Sequence, residues 1–241
     1  MQLAIDSSTD TASLAVARDN EVLAELTWRC GQNHSVELMP RLSRLLEQAN
    51  IDLKSISGII VARGPGSFNG LRVGISTAKG LAFSLGVPLV GISTLEAIAY
   101  SHAEAGLPVY PILNAGRGEI ATATYQLKGG RWQQITAEHI TTVDALCLKT
   151  SDRTIFCGEL TPAIIDELTG RLEQKAIIPP PASRLRRAGF LAELGLKRLQ
   201  SGDCDQPSTL QPIYLRRPQI TQPNNKNRTA NQRNKPSSDT G

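Results

Sequence analysis

The chain is poor in the residues from which most recognisable chemistry is built. Aromatic side chains are 4% of its 241 residues, too few to indicate a base-stacking platform for single-stranded RNA. Four cysteines, Cys30, Cys147, Cys157 and Cys204, stand far apart with no Cys-x-x-Cys among them. That spacing signals neither a zinc ribbon nor a thioredoxin-type redox pair and leaves reduced structural thiols. The histidines are His34, His102 and His139, no two of them four apart, so no helical zinc site is expected. His34 falls at the start of a helix and reads as a capping or solvent-facing residue. No His-Glu-x-x-His occurs, which disfavours a zinc peptidase, and no Gly-x-Ser-x-Gly supplies a hydrolase nucleophile. No pair of acids has a spacing that singles it out for acid–base work. No apolar run approaches the roughly 18 residues of a membrane span, and the N-terminus lacks the pattern of a secretion signal, so a soluble cytoplasmic protein is expected.

Acidic and basic residues nearly balance, with a net charge of +4. The excess is concentrated at one end: residues 218–241 carry Lys226, Arg228, Arg233 and Lys235 against Asp239 alone. This stretch is almost devoid of apolar side chains and is read as a disordered, basic, polar tail. The rest of the chain is close to neutral, so its charge is weak evidence for nucleic-acid binding.

Hydrophobic residues are 40% of the chain, enough for a core. Leu3 and Ile5, Leu14 and Val16, and Val22, Ala24 and Leu26 alternate with period two, predicting three strands. Asp19-Asn20 supplies the turn between the second and third. Val36, Met39, Leu42, Leu45, Leu46 and Ala49 recur at helical spacing over residues 35–49. The apolar run 58–62 predicts a buried strand, followed by a helix over 71–85, a strand over 88–92 and a helix over 94–105. The order β-β-β-α-β-α-β-α matches the ribonuclease-H-like lobe of actin-like proteins. A second, smaller series follows: strands over 109–113, 119–126 and 132–140, with Gly129-Gly130 turning between the last two, then helices over 162–172 and 184–200. The expected architecture is an α/β, two-lobed actin-like fold, with lobes at 1–107 and 108–217 and the tail at 218–241.

The most informative feature is Gly64-Pro-Gly-Ser-Phe-Asn-Gly-Leu-Arg-Val-Gly74, a glycine-rich loop between the 58–62 strand and a helix. A strand–loop–helix of this kind gathers free N–H groups at a positive helix end, the raw material of a phosphate site. Yet Leu71 stands where a Walker A loop needs lysine, and Asn69 replaces the third glycine of a dinucleotide loop. Asp6, Ser7, Ser8 and Thr9 end the first strand and read either as a metal–phosphate-orienting turn or as a self-capped hairpin turn. With Gly66, Ser67, Asn69 and Gly70, the residues Asp6, Ser7 and Ser8 form a candidate vestigial phosphate site. The helix after the loop carries Gly74, Ser76, Ala78, Gly80 and Ala82. Mid-helix glycine costs about 0.5–1 kcal/mol relative to alanine, so these residues serve close packing, either within the lobe or against a partner.

Asp6-Ser7-Ser8-Thr9, His34-Ser35-Val36-Glu37-Leu38-Met39-Pro40, the glycine loop, Ala78-Lys79-Gly80-Leu81-Ala82 and Pro88-Leu-Val-Gly-Ile-Ser-Thr-Leu-Glu96 together resemble the TsaB family. The resemblance is close over residues 1–105. It weakens at 114–121, where Asn-Ala-Gly-Arg-Gly-Glu-Ile-Ala replaces the family's Asp-Ala-Arg-x-x-Glu-Val-Tyr, and Asn69 replaces a usual threonine. The resemblance implies a non-catalytic subunit in the synthesis of threonylcarbamoyladenosine at adenosine 37 of tRNA. Its catalytic paralogue TsaD, carrying a histidine metal site, would dock on the first-lobe helices, and an ATPase, TsaE, would join. Alone, the chain would be a homodimer. The surface assigned to these contacts is His34, Leu38, Leu42, Leu45, Leu71, Arg72, Ile75, Ser76 and Lys79. No cofactor is expected for the chain itself; ATP or ADP binding is left to the complex. The competing readings are a nucleotide-using ATPase or transferase working through Asp6 and, more remotely, a peptidase.

Overall fold

In the computed structural model, residues 1–19 and 21–216 are described. The 218–241 tail and Asn20 of the first hairpin turn lie outside them. Two five-stranded sheets repeat one topology. The first has the order β3-β2-β1-β4-β5 and the second β8-β7-β6-β9-β10. In each, a three-stranded antiparallel meander is continued by two parallel strands. The first sheet comprises β1 (Gln2–Asp6), β2 (Thr11–Arg18), β3 (Glu21–Arg29), β4 (Gly58–Ala62) and β5 (Leu89–Ile92). The second comprises β6 (Val109–Gly116), β7 (Glu119–Lys128), β8 (Arg131–Thr141), β9 (Thr154–Gly158) and β10 (Ala176–Ile177). The mixed, two-lobed α/β architecture expected from the sequence is the one observed.

The helices sort by the size of the residues they cover. Leu3, Ile5, Leu14, Val16, Ile59 and Val61 point to one face of the first sheet, where α1 (His34–Gln48) and α2 (Phe68–Leu85) bury Leu38, Leu42, Leu45, Leu46, Ile75 and Ala78. The opposite face presents smaller residues, Ala4, Ala15, Ala17 and Ala62, around Ile60. There α6 (Ala188–Gln200) lies close, with Ala188, Ala192 and Gly195 inward. A Cβ on Gly195 would come within 2.4 Å of the Ile60 side chain, so the approach depends on glycine. The helix α3 (Thr94–Tyr100) packs Leu95, Ile98 and Ala99 on the second sheet instead, against Val109, Leu113, Ala123, Tyr125 and Ile155. The outer face of that sheet is covered by α4 (Val143–Lys149) and α5 (Pro162–Leu172) through Leu146, Cys147, Leu168 and Leu172. The result is five layers, with α3 and α6 in contact at the centre.

Two helices cross between the lobes expected at 1–107 and 108–217. The helix preceding residue 107 packs on the second sheet, and the last helix, assigned to the second lobe, returns to the first. Other differences are local. The α2 helix begins at Phe68 rather than 71, because the Ser67 side chain accepts a hydrogen bond from Gly70 N at 3.4 Å and caps it. The α1 helix begins at His34, which places Pro40 inside it. The 94–105 helix is α-helical only to Tyr100, with a short 3-10 turn at Ala103–Ala105. The 184–200 helix starts at Ala188, after a 3-10 turn at Pro181–Arg184. The strand β9 and helix α4 were not anticipated. Residues Thr154, Ile155, Phe156 and Cys157 are buried in β9, but an apolar run this short has no periodicity to read.

Candidate functional site

The turn after β1 and the loop before α2 meet, as the sequence suggested, and they satisfy one another. Asp6 is 1% exposed. Its Oδ1 accepts from Ser8 N at 2.9 Å and Ser8 Oγ at 2.6 Å. Its Oδ2 lies 2.5 Å from Arg186 Nε, an arginine whose side chain is itself 7% exposed. Arg186 Nη2 also donates to Thr9 Oγ1 at 3.0 Å and to Thr11 O. The carboxylate, one of whose two readings was to orient a metal–phosphate unit, is thus held by a cation from far along the chain.

The glycine loop is filled in the same way. Ser67 N donates to Ser8 O at 2.7 Å, and Ser7 Oγ donates to Gly70 O at 2.8 Å. Gly66, in the loop before α2, and Gly70 and Gly74, within it, follow one another at intervals of four, and each faces this turn. A Cβ would stand 2.1 Å from Ser8 O at Gly66, 2.1 Å from Ser7 O at Gly70 and 2.2 Å from Ser7 Oγ at Gly74. The three glycines make room for the chain's own Ser7-Ser8 turn. Asn69 is exposed, away from it.

His34 is not a solvent-facing cap. It is 3% exposed, and its Nε2 donates to Thr9 O at 2.8 Å. Its Nδ1 is buried without a hydrogen-bond partner. Thr9 therefore ties α1 and Arg186 to the same turn. Among the described residues, no group of three or more His, Cys, Asp or Glu side chains is gathered in a way that could hold a metal ion.

The surface assigned to partner binding divides in two. His34, Leu38, Leu42, Leu45, Leu71 and Ile75 are each 7% exposed or less. Their apolar character is used inside the first lobe, which removes them from the assigned surface. Arg72 and Ser76 are exposed and Lys79 is half-buried. They lie on an outer stripe of α2 with Gly80 and Phe83, the latter 88% exposed. Val36 and Met39 of the neighbouring α1 are also exposed apolar residues. Of the two mid-helix glycines, Gly74 serves packing within the lobe, whereas a Cβ on Gly80 would meet nothing within 4 Å. Phe83 was overlooked, although its spacing of four and seven from Lys79 and Ser76 places it on their stripe.

Comparison with known proteins decides the family. A family model described as TsaD, tRNA N6-adenosine threonylcarbamoyltransferase, matches residues 28–222. The tRNA threonylcarbamoyladenosine biosynthesis protein TsaB of Bacillus subtilis (strain 168) is 36% identical over 217 residues, covering 89% of this chain and 93% of that protein. The chain belongs to the TsaB family. The Escherichia coli (strain K12) TsaB is 34% identical over 133 residues, covering 54% of this chain and 57% of that protein. A Pseudomonas aeruginosa crystal structure, of an uncharacterized protein with similarity to peptidase YEAZ, superposes with a TM-score of 0.75 at 24% identity. It covers 89% of this chain and 99% of its own, and shows the shared fold.

In this TsaB-family chain the run that departs from the family pattern has a local use. Asn114 Oδ1 accepts from Gly116 N at 2.8 Å. Arg117 and Gly118, both at positive φ (59° and 75°), then form the two-residue turn joining β6 to β7. Glu119 pairs with Arg216. Residues 210–216 form a strap across both lobes: Ile213 N donates to Arg63 O at 2.7 Å, and Arg216 Nη1 donates to Ala115 O at 3.3 Å. A cavity of about 170 Å³ lies beneath, lined by Pro65, Gly66, Leu113, Asn114, Tyr214 and Arg216, among others.

Two carboxyl groups lie at the junction of the lobes. Ser93, which caps α3, donates to Glu138 of β8. Burial raises both Glu96 and Glu138 above the ordinary glutamate range, and the charge of Glu138 adds to the shift at Glu96. Arg63 acts on Glu138, and Arg198 and Lys197 act on Glu96, in the opposite direction. No described helix is long and apolar enough to cross a membrane.

Proposed function

We propose that this TsaB-family chain is a non-catalytic scaffold in the assembly that forms threonylcarbamoyladenosine at adenosine 37 of tRNAs reading ANN codons. It docks the catalytic paralogue TsaD on the exposed stripe of α1 and α2, is joined in the assembly by the ATPase TsaE, and pairs with itself through the same stripe when TsaD is absent. It works in the cytoplasm. The observation that carries this reading is the occupied cradle. With Arg186 on Asp6 and the Ser7-Ser8 turn against Gly66, Gly70 and Gly74, the loop retains its shape while its carboxylate is already paired with the chain's own arginine. Val36, Met39 and Phe83 meanwhile stand in solvent around Ser76 and Gly80. Small residues in such a stripe let a second helix approach closely.

The test is association measured by light scattering after mixing with the TsaD-type paralogue. Phe83→Asp and Ser76→Trp place a charge and a bulky ring on the stripe and should each weaken complex formation about tenfold or more. Their melting curves should match the parent, since neither residue is part of the core. Unchanged association in both variants would sink the docking surface. ATP turnover by the isolated chain, abolished by Asp6→Ala, would replace the scaffold reading with that of a nucleotide-using enzyme.

A further inference from the structure

Residues 184–187, which lead into α6, read Arg-Leu-Arg-Arg. Two of the three arginines have acids: Arg186 lies on Asp6 and Arg187 on Glu25. Arg184 forms no ion pair among the described residues. Its Nη1 donates to Leu160 O at 3.5 Å, and its Nε is buried without a hydrogen-bond partner. His102, just past the end of α3, carries a second orphan: its Nε2 is buried and unpartnered as well. Both residues line one cavity of about 10 Å³, closed by Ile98, Cys157, Arg186 and Phe190 among others. That is room for a single water-sized occupant. No carboxylate lines it. Burial pushes the Cys157 thiol up and His102 down, so both are neutral near pH 7. The charge of Arg184 is therefore the one left without compensation at this cavity. A water molecule could accept from both nitrogens but would leave that charge standing. A small anion accepts from both and offsets it.

We infer that this cavity is a binding site for a monatomic anion of the halide class, held between Arg184 Nε and His102 Nε2. The consequence is mechanical. The 184–187 run delivers Arg186 to Asp6 and Arg187 to Glu25, and an anion bridging Arg184 to His102 pins that run to the end of α3. The inference goes beyond scaffolding and uses none of the residues of the partner-binding stripe.

The experiment compares the melting midpoint of the full chain in sodium chloride, sodium bromide and sodium gluconate at one ionic strength. Gluconate is too large to enter, so chloride and bromide should raise the midpoint above it, and the rise should saturate with concentration. Arg184→Gln should increase the halide concentration needed for half the effect about tenfold or more, as for loss of a hydrogen bond to a charged group. His102→Phe should act in the same direction, and Arg184→Lys should keep most of the effect. Crystals grown in bromide should show an anomalous peak between the Arg184 and His102 side chains. This measurement needs no variant, so it carries the test if a variant melts early in gluconate. A midpoint indifferent to the anion overturns the inference. So does a halide effect that Arg184→Gln and His102→Phe leave unchanged, which would place the anion elsewhere. A bromide peak without any effect in solution means an adventitious ion only, and an ordered oxygen in place of bromide means a bound water; either overturns it. TsaD association, read separately by light scattering, should be equal in chloride and gluconate, so either proposal can fail without the other.

Discussion

Asp6 and Arg186 stand 2.5 Å apart with side chains 1% and 7% exposed, joining the end of the first strand to the residue two before the last helix. The pair fixes the Ser7-Ser8 turn on one side and the return of α6 to the first sheet on the other. Breaking a buried pair from one side strands a charge, whereas removing both charges together is often nearly neutral. Arg186→Met is therefore expected to destabilise the chain by about 3–5 kcal/mol, and Asp6→Asn combined with it by clearly less. Urea unfolding of the parent, both single variants and the double variant measures the coupling. Additive losses would mean that the two side chains act independently.

Two glycines of α2 should respond in opposite senses to the same substitution. Gly70→Ala drives a methyl to 2.1 Å from Ser7 O, a backbone atom held by the turn. Its expected cost is about 1–3 kcal/mol, as for other overpacked sites. Gly80→Ala meets nothing within 4 Å and should stabilise the isolated chain by about 0.5–1 kcal/mol. If Gly80 is kept for close helix approach, the same variant should bind TsaD more weakly. Thermal melts and association measurements on one preparation separate the two effects.

Arginine at Leu42 or Ile75 is expected to unfold the first lobe. Leu42 is 2% and Ile75 4% exposed, and an unpaired charge at either position has no route to water. Loss of the cooperative melt before any partner is added is the expected result. A normal melt with selective loss of association would return these side chains to the interface.

Stability should fall as pH rises from the ordinary glutamate range, about 4.3, toward neutrality. Burial raises the pKa of Glu96 and Glu138 in the folded chain, so folding favours their protonated forms. The stability they contribute is complete below the unfolded pKa and is lost as pH climbs through the folded values. Glu96→Gln and Glu138→Gln should each flatten this part of the profile. Urea midpoints between about pH 4 and 8 read the effect, and identical slopes in parent and variants would count against it.

Much of the architecture was legible because period-two alternation in β1 to β3 and helical spacing in α1 are local patterns. The meeting of Asp6, Ser7 and Ser8 with the glycine loop was also legible, since the strand–loop–helix dictates it. What occupied the meeting point was not. Arg186 lies beyond any local window, and nothing near it in the sequence marks it as the partner of Asp6. The interface assignment failed for a related reason. Leu38, Leu42, Leu45 and Ile75 form one helical stripe, but periodicity identifies a buried stripe without saying what buries it. The contact between Phe68 and Tyr214 was hidden by the same separation in sequence.

The exchange of α3 and α6 between the two sheets determines how this molecule can be taken apart. Severing the backbone at residue 107 would not release two autonomous halves. The N-terminal fragment would leave Leu95, Ile98 and Ala99 of α3 without the sheet they cover and would lack the helix that shields Ala4, Ala15, Ile60 and Val90. Its counterpart would expose Val109, Leu113 and Ile155. Each fragment would carry bare hydrocarbon that only the other can hide, so complementation on co-expression should restore a stable product where neither fragment survives by itself.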